Sequence, residues 1–251
     1  MKYTTVVLII LMAGLVSSFH PMDNTGADTS EKGFALIELF TSQGCSSCPA
    51  ADRLLSELIR EEGDNVYGLS FHVSYWNYLG WKDPYSSDSH TERQREYARV
   101  FNNNRIYTPQ MVVNGQEEFV GSGKALAENA IKKALGNVHQ HTVDLKMERI
   151  NDRLRLGYTV RGPLKERLLN IAIVEKDITT KVTRGENRSR TLHHDNVVRL
   201  FKTTAAKTAG ELTLPVPEGL DPSNGAVIVY IQHEKTWEIT GASRILLKKG
   251  G

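Results

Sequence analysis

The only two cysteines of this 251-residue chain stand three positions apart, in T-S-Q-G-C-S-S-C-P-A-A-D from Thr41 to Asp52. Their setting constrains the fold more than any other feature. Before them runs an apolar stretch, Ala35 to Phe40, with Glu38 inside it. After them Ala51, Leu54, Leu55, Leu58 and Ile59 recur at the spacing that lines one face of a helix. Pro49 falls in the first helical turn, where its missing N–H would be unpaired anyway. Ser46 or Ser47 suits the N-cap, Asp52 the positive end of the helix dipole, and Gly63 the stop. Two thiols are therefore expected at a strand-to-helix turn, over exposed helix N–H groups.

That position matters because the thiolate is the reactive form. A free thiol has a pKa of about 8.5, and C-x-x-C sites at helix N-termini reach roughly 3.5 to 7.5. Cys45 is the expected exposed nucleophile, and Cys48, one turn into the helix, the resolving partner. The alternatives are an inert disulfide and a metal site. A staple closing so short a loop removes little chain entropy, because its effect grows with loop length.

The rest of the chain supplies the context. Residues 1–18 read as a signal peptide, with Lys2 ahead of an apolar run, Val6 to Val16, too short to span a bilayer comfortably. Residues 19–32 are polar and are expected to be a flexible leader. From Gly33, strand candidates at Ala35–Phe40 and Val66–Val73 flank the cysteine helix. A helix capped by Ser89 with Glu92 comes next, then a hairpin at Asn114-Gly115 and a helix from Ala125 to Leu135. This alternation implies an α/β unit over residues 33–138 with parallel pairing.

C-x-x-C at the first strand-to-helix turn of such a βαβαββα order resembles the thioredoxin superfamily. The resemblance implies a cis proline facing the dithiol, and Thr108-Pro109 stands in the matching place, with Thr108 offering backbone groups to an incoming chain. It also implies a buried carboxylate that helps the inner cysteine lose its proton. Glu38 is the candidate, but it lies one residue further from Cys45 than is usual. One residue of slip flips a strand side chain to the other face unless the turn absorbs it, so Glu38 is equally read as facing elsewhere. The blocks E-L-F-T-S-Q-G-C-S-S-C-P, F-H-V-S-Y-W-N-Y-L-G-W-K-D-P and Y-T-P-Q-M-V-V-N-G resemble, more narrowly, a family of bacterial secreted proteins of unknown function.

Beyond about Gly136 the pattern is strand only. Alternating apolar residues around a turn at Asn151-Asp152, with five further candidates, predict a small antiparallel sandwich-like domain over residues 139–251. The polar stretch Arg184 to Asn196 is read as a solvated linker or a docking segment. His193-His194-Asp195 within it does not make a metal site or triad, since adjacent strand side chains point to opposite faces. The aromatic residues between Tyr75 and Tyr85 suit either a packed loop core or a peptide-gripping surface, and His72 an inward-facing core histidine.

A net charge of +2 with both signs well mixed offers no case for nucleic acid or for stable membrane insertion after signal cleavage. The leading expectation is an exported, secreted or periplasmic thiol–disulfide oxidoreductase acting on protein or peptide thiols, with an unknown redox partner. Cys45 and Cys48 do the chemistry and Thr108 and Pro109 bind substrate. No cofactor is expected, because the cysteine pair carries the electrons, and no metal. A non-enzymatic binding module with an inert disulfide is the alternative, and a copper-handling protein a weaker one.

Overall fold

The computed structural model describes residues 33–103 and 105–247. The expected signal peptide and flexible leader, residues 1–32, lie outside them.

The first half follows the expected order. Strand β1 (Ala35–Thr41) leads through the cysteine turn into α1 (Cys48–Glu61), and β2 (Val66–His72) returns parallel to β1. Helix α2 (Asp88–Val100) follows, then β3 (Gln110–Val113), β4 (Glu117–Val120) and α3 (Lys124–Leu135). Helix α2 begins earlier than a Ser89 cap predicts. Ser87 is the N-cap, and its side chain accepts from the Ser89 N–H. Ser47 sits at the N-cap of α1 without a side-chain cap bond, while Gly63 follows the helix end with φ +82°.

Residues 139 onward supply strands β5 (Thr142–Ile150), β6 (Arg153–Arg161), β7 (Arg167–Glu175), β8 (Ile178–Lys181), β9 (Thr191–His194), β10 (Val197–Ala205), β11 (Ala209–Pro215), β12 (Gly225–His233) and β13 (Ile239–Leu246). Two sheets pack on each other in this half, and one of them is continuous with the sheet of the first half. Strands β13, β12, β7 and β10 continue the sheet of β2, β1, β3 and β4, giving eight strands in the order β13-β12-β7-β10-β2-β1-β3-β4. The second layer is the sheet β11-β6-β5, whose Leu154, Leu156 and Val160 pack on Ile171, Ile173, Val227 and Val229.

The seam between the halves is narrow in hydrogen bonds and broad in packing. Strand β10 meets β2 in parallel at Val197 and Ser70, and the Asn196 side chain donates to the Gly68 carbonyl at 2.9 Å. One apolar cluster crosses the seam, joining Phe40, Phe71 and Tyr97 to Val174, Ala226, Ile228 and Tyr230. Strand alternation divides β1 between two layers. Ala35, Ile37 and Leu39 face α1 and α3, whereas Leu36 and Phe40 face the cluster that crosses the seam. Glu38 has the parity of Leu36 and Phe40.

Inside that cluster the Arg93 guanidinium pairs with Glu38 Oε1 at 2.6 Å and donates to the Tyr230 hydroxyl at 2.9 Å. It also lies over the rings of Phe71, Tyr97, Phe201, Tyr230 and Trp237 at 4.8–5.9 Å. Residues from β1, α2 and β12 thus hold one buried charge pair between them.

The Asn114-Gly115 turn adds a further lock. Asn114 and Gly115 both take positive φ, at 48° and 67°, and a Cβ on Gly115 would stand 1.9 Å from the Trp237 carbonyl oxygen. Gly115→Ala meets both a strained backbone and a backbone atom. We expect it to lower stability by more than about 1 kcal/mol, read as a fall in urea midpoint at unchanged slope.

Candidate active site

Cys45 and Cys48 form a disulfide, with Cα atoms 5.4 Å apart, between the end of β1 and the start of α1. The turn is closed by the Cys45 N–H donating to the Ser42 carbonyl at 3.1 Å and the Cys48 N–H to the Cys45 carbonyl at 3.3 Å. Cys45 Sγ lies 3.3 Å from the Ser47 hydroxyl and 3.9 Å from the Thr108 carbonyl oxygen. The Thr108–Pro109 bond is cis, as the resemblance implies. The Trp76 indole N–H donates to the Thr108 hydroxyl at 2.7 Å, which ties the proline loop to the aromatic segment.

The two sulfurs do not lie open. Both cysteines are fully buried, while Ser46 and Ser47 between them are exposed. They are covered by the polar stretch that the sequence suggests is a linker or docking segment. Strands β8 and β9 pair as a hairpin, β9 packs on α1, and the tip, residues 182–190, lies over the cysteine turn. Glu186 accepts the Ser46 N–H at 3.0 Å. The buried Asn187 side chain donates to the carbonyls of Gln43, at 2.9 Å, and Cys45, at 2.8 Å. Gln43 also donates to the Thr180 hydroxyl at 3.0 Å and accepts the Trp81 indole N–H at 3.1 Å.

Glu38 is placed elsewhere. Its carboxylate faces the seam, bonded to Arg93 and Tyr230, on the side of β1 away from α1. The turn does not absorb the extra residue of spacing, so alternation along the strand turns the side chain to the other face. The buried ionisable groups that do lie on the α1 side are others. Asp52 of α1 and His194 of β9 stand 3.4 Å apart, both almost fully buried. The His194 ring meets that of His72 at 4.8 Å, and His72 Nδ1 is 2.7 Å from Asp83 Oδ2. Burial opposes a charge on His72, but the Asp83 carboxylate outweighs it, and the ring pKa is raised. The same pairing, with backbone N–H groups from Gln43 and Tyr85, holds Asp83 below its ordinary value against its own burial.

Sequence reasoning misses this row. It gives Asp52 only the role of a dipole partner, and it discounts the His193-His194-Asp195 run because neighbours on a strand diverge. That divergence is what happens: His193 is exposed and His194 buried. The alternation of Leu192 and His194 is the available signal. Among the described residues no cluster of three or more His, Cys, Asp or Glu side chains is arranged to hold a metal ion.

The aromatic segment divides. Tyr75 and Trp76 pack against the seam cluster, whereas Tyr78 is 80% exposed.

Fold and site together define a thioredoxin-like protein with a C-x-x-C disulfide. The thioredoxin of Methanocaldococcus jannaschii is 36% identical over 101 residues, which is 39% of this chain and 94% of that protein. Residues 36–232 match the family described as protein of unknown function (DUF1223), and the chain belongs to that family. A crystal structure of an Agrobacterium tumefaciens protein, 29% identical, superposes with a TM-score of 0.67 over 88% of this chain and 97% of its own.

Proposed function

We propose that this protein is an exported thiol–disulfide oxidoreductase that exchanges with a protein or peptide partner through Cys45 and Cys48. One observation carries the reading: the disulfide sits at a helix N-terminus with the Cys45 sulfur facing the Thr108 carbonyl beside the proline loop. Helix N–H groups stabilise a thiolate there, and the Thr108 backbone is placed to align an extended partner chain. Export is supported by the apolar run Val6 to Val16 behind Lys2. Residues 139–251 serve in this reading as the covering and docking part of the same site.

A second reading has its own support. Full burial of both sulfurs under the hairpin tip favours a binding module in which the disulfide is inert. Equilibration with a glutathione redox buffer separates the two. The oxidoreductase is expected between about −270 and −120 mV, with a Cys45 pKa well below about 8.5. A potential below about −300 mV with an unreactive Cys45 would leave the binding module.

A further inference from the structure

Beside the cysteine helix the buried row of Asp52, His194, His72 and Asp83 is hydrogen-bonded at one end, while at the other Asp52 and His194 approach each other at 3.4 Å without a hydrogen bond. Asp83 accepts the backbone N–H groups of Gln43 and Tyr85 at 2.8 and 3.0 Å and pairs with His72. At the other end neither oxygen of Asp52, neither ring nitrogen of His194, nor His72 Nε2 has a hydrogen-bond partner among the described residues. Burying a carboxylate and an imidazole this way is costly, and such groups are ordinarily paired. Asp52 lies four residues beyond Cys48 on α1, and both are buried on the same helix face. That spacing puts their Cβ atoms about 5–6 Å apart. Of the ionisable groups around the pair, His72 on β2 meets the His194 ring, and Cys48 lies one turn before Asp52 on α1. Behind His72 stand Asp83, Tyr85 and, bonded to the His72 carbonyl, His90 of α2.

We propose that the Asp52–His194 pair takes up the Cys48 proton when a mixed disulfide is resolved, so that the residue completing the redox site comes from the second half of the chain. The proposal rests on the oxidoreductase reading above. With the partner's sulfur bonded to Cys45, the Cys48 S–H gives its proton to the Asp52 carboxylate, which His194 holds in place. The Cys48 thiolate attacks Cys45 Sγ, the Cys45–Cys48 bond forms, and the bond from Cys45 to the partner's sulfur breaks. The partner leaves as a thiolate and receives the proton, reduced as the chain's two thiols are oxidised. His72 and Asp83 are positioning residues that hold the His194 ring from behind. The hairpin that covers the cysteines therefore also delivers half of their base.

The test uses the full chain, reduced and mixed with a small aromatic disulfide that releases a coloured thiol, with resolution of the mixed disulfide followed from about pH 5 to about pH 9. Asp52→Asn and His194→Gln are each expected to slow resolution on the order of 10²-fold below the Cys48 thiol's own ionisation. The difference should vanish at high pH, where the thiolate forms unaided. Alkylation of Cys45 should stay at the wild-type rate in both variants. Resolution within about twofold of wild type across the whole range, with Cys45 reactive, overturns the proton relay and leaves the oxidoreductase standing. A wild-type Cys45 that neither alkylates nor forms a mixed disulfide overturns both. If Asp52→Asn does not fold, Asp52→Glu and the wild-type profile decide. A wild-type rate that rises only with the ordinary ionisation of a thiol, near pH 8.5, counts against the pair. A second, lower inflection that Asp52→Glu shifts supports it.

Discussion

Arg93→Met is expected to cost about 3–5 kcal/mol of stability, because it leaves the Glu38 carboxylate buried without its countercharge. Methionine keeps much of the apolar contact that the arginine makes with Phe71, Phe201 and Trp237, so packing is not the main loss. What remains for Glu38 is the Tyr230 hydroxyl at 2.6 Å, with its second oxygen unbonded. Burial first, and the Glu38 carboxylate also, push the Tyr97 and Tyr230 hydroxyls well above their ordinary pKa, so both stay protonated and neither supplies a charge. The double variant Glu38→Leu with Arg93→Met removes both charges and is expected to recover most of the loss, since a well-packed apolar replacement of a buried pair is often neutral. Urea denaturation of the two variants checks this. Equal losses in the single and double variants would sink the explanation and mean that shape at the seam, not charge, is what matters. In heat the single variant should unfold about 10 °C earlier.

Asp83→Asn should cost on the order of 3 kcal/mol near pH 5 and less near pH 8. In the wild type the folded state raises the His72 pKa, so that pairing adds stability fully below about 6.5 and loses it as pH rises through the folded value. Asp83 has a lowered pKa, so its own contribution is present above about 3.9 and is lost as pH falls through the folded value. In the variant only burial and the smaller influence of Asp52 act on His72, and burial disfavours the charged ring. The gap between the two proteins therefore widens as pH falls from about 8 to about 5, by at most about 1.4 kcal/mol per pH unit for one proton. His90 titrates in both proteins: burial pushes it down to about 4, so both lose stability as pH falls below about 6.5, and the difference carries only the smaller influences of the His72 and Asp83 charges on it. Thermal unfolding of both proteins across this range measures the gap. A gap that stays constant with pH would mean that His72 is not charged beside Asp83.

The two predictions concern opposite faces of one sheet, and the sequence is legible to different depths on each. Tyr67, Leu69, Phe71 and Val73 group on one face of β2 in sequence and structure alike, because a period of two is a local property. The cysteine helix, the Asn114-Gly115 hairpin and the strands that alternation predicts at Leu168–Val174, Val197–Lys202, Glu211–Val216, Ala226–His233 and Ile239–Leu247 lie within three residues of their observed positions for the same reason. The hairpin of β8 and β9 leaves no such trace. Its strands are four residues each, and its nine-residue tip lacks the short turn that marks a hairpin.

By itself the sequence determined the order of elements in the first half, the cysteine-bearing turn and the all-strand character of the second half, while the proline loop opposite the cysteines was implied by the resemblance. The first three depend on residues close together in the chain, where periodicity, capping and turn chemistry act. Only the tertiary structure decided that Glu38 serves the seam, that Asn187 and Glu186 cover the cysteines, and that His194 stands beside Asp52, 142 positions away in the chain. Such pairings are chosen by which sheet edge remains open and which buried charge must be matched. The order β7, β10, β2 answers the first need, and it is what carries the hairpin of β8 and β9 onto α1.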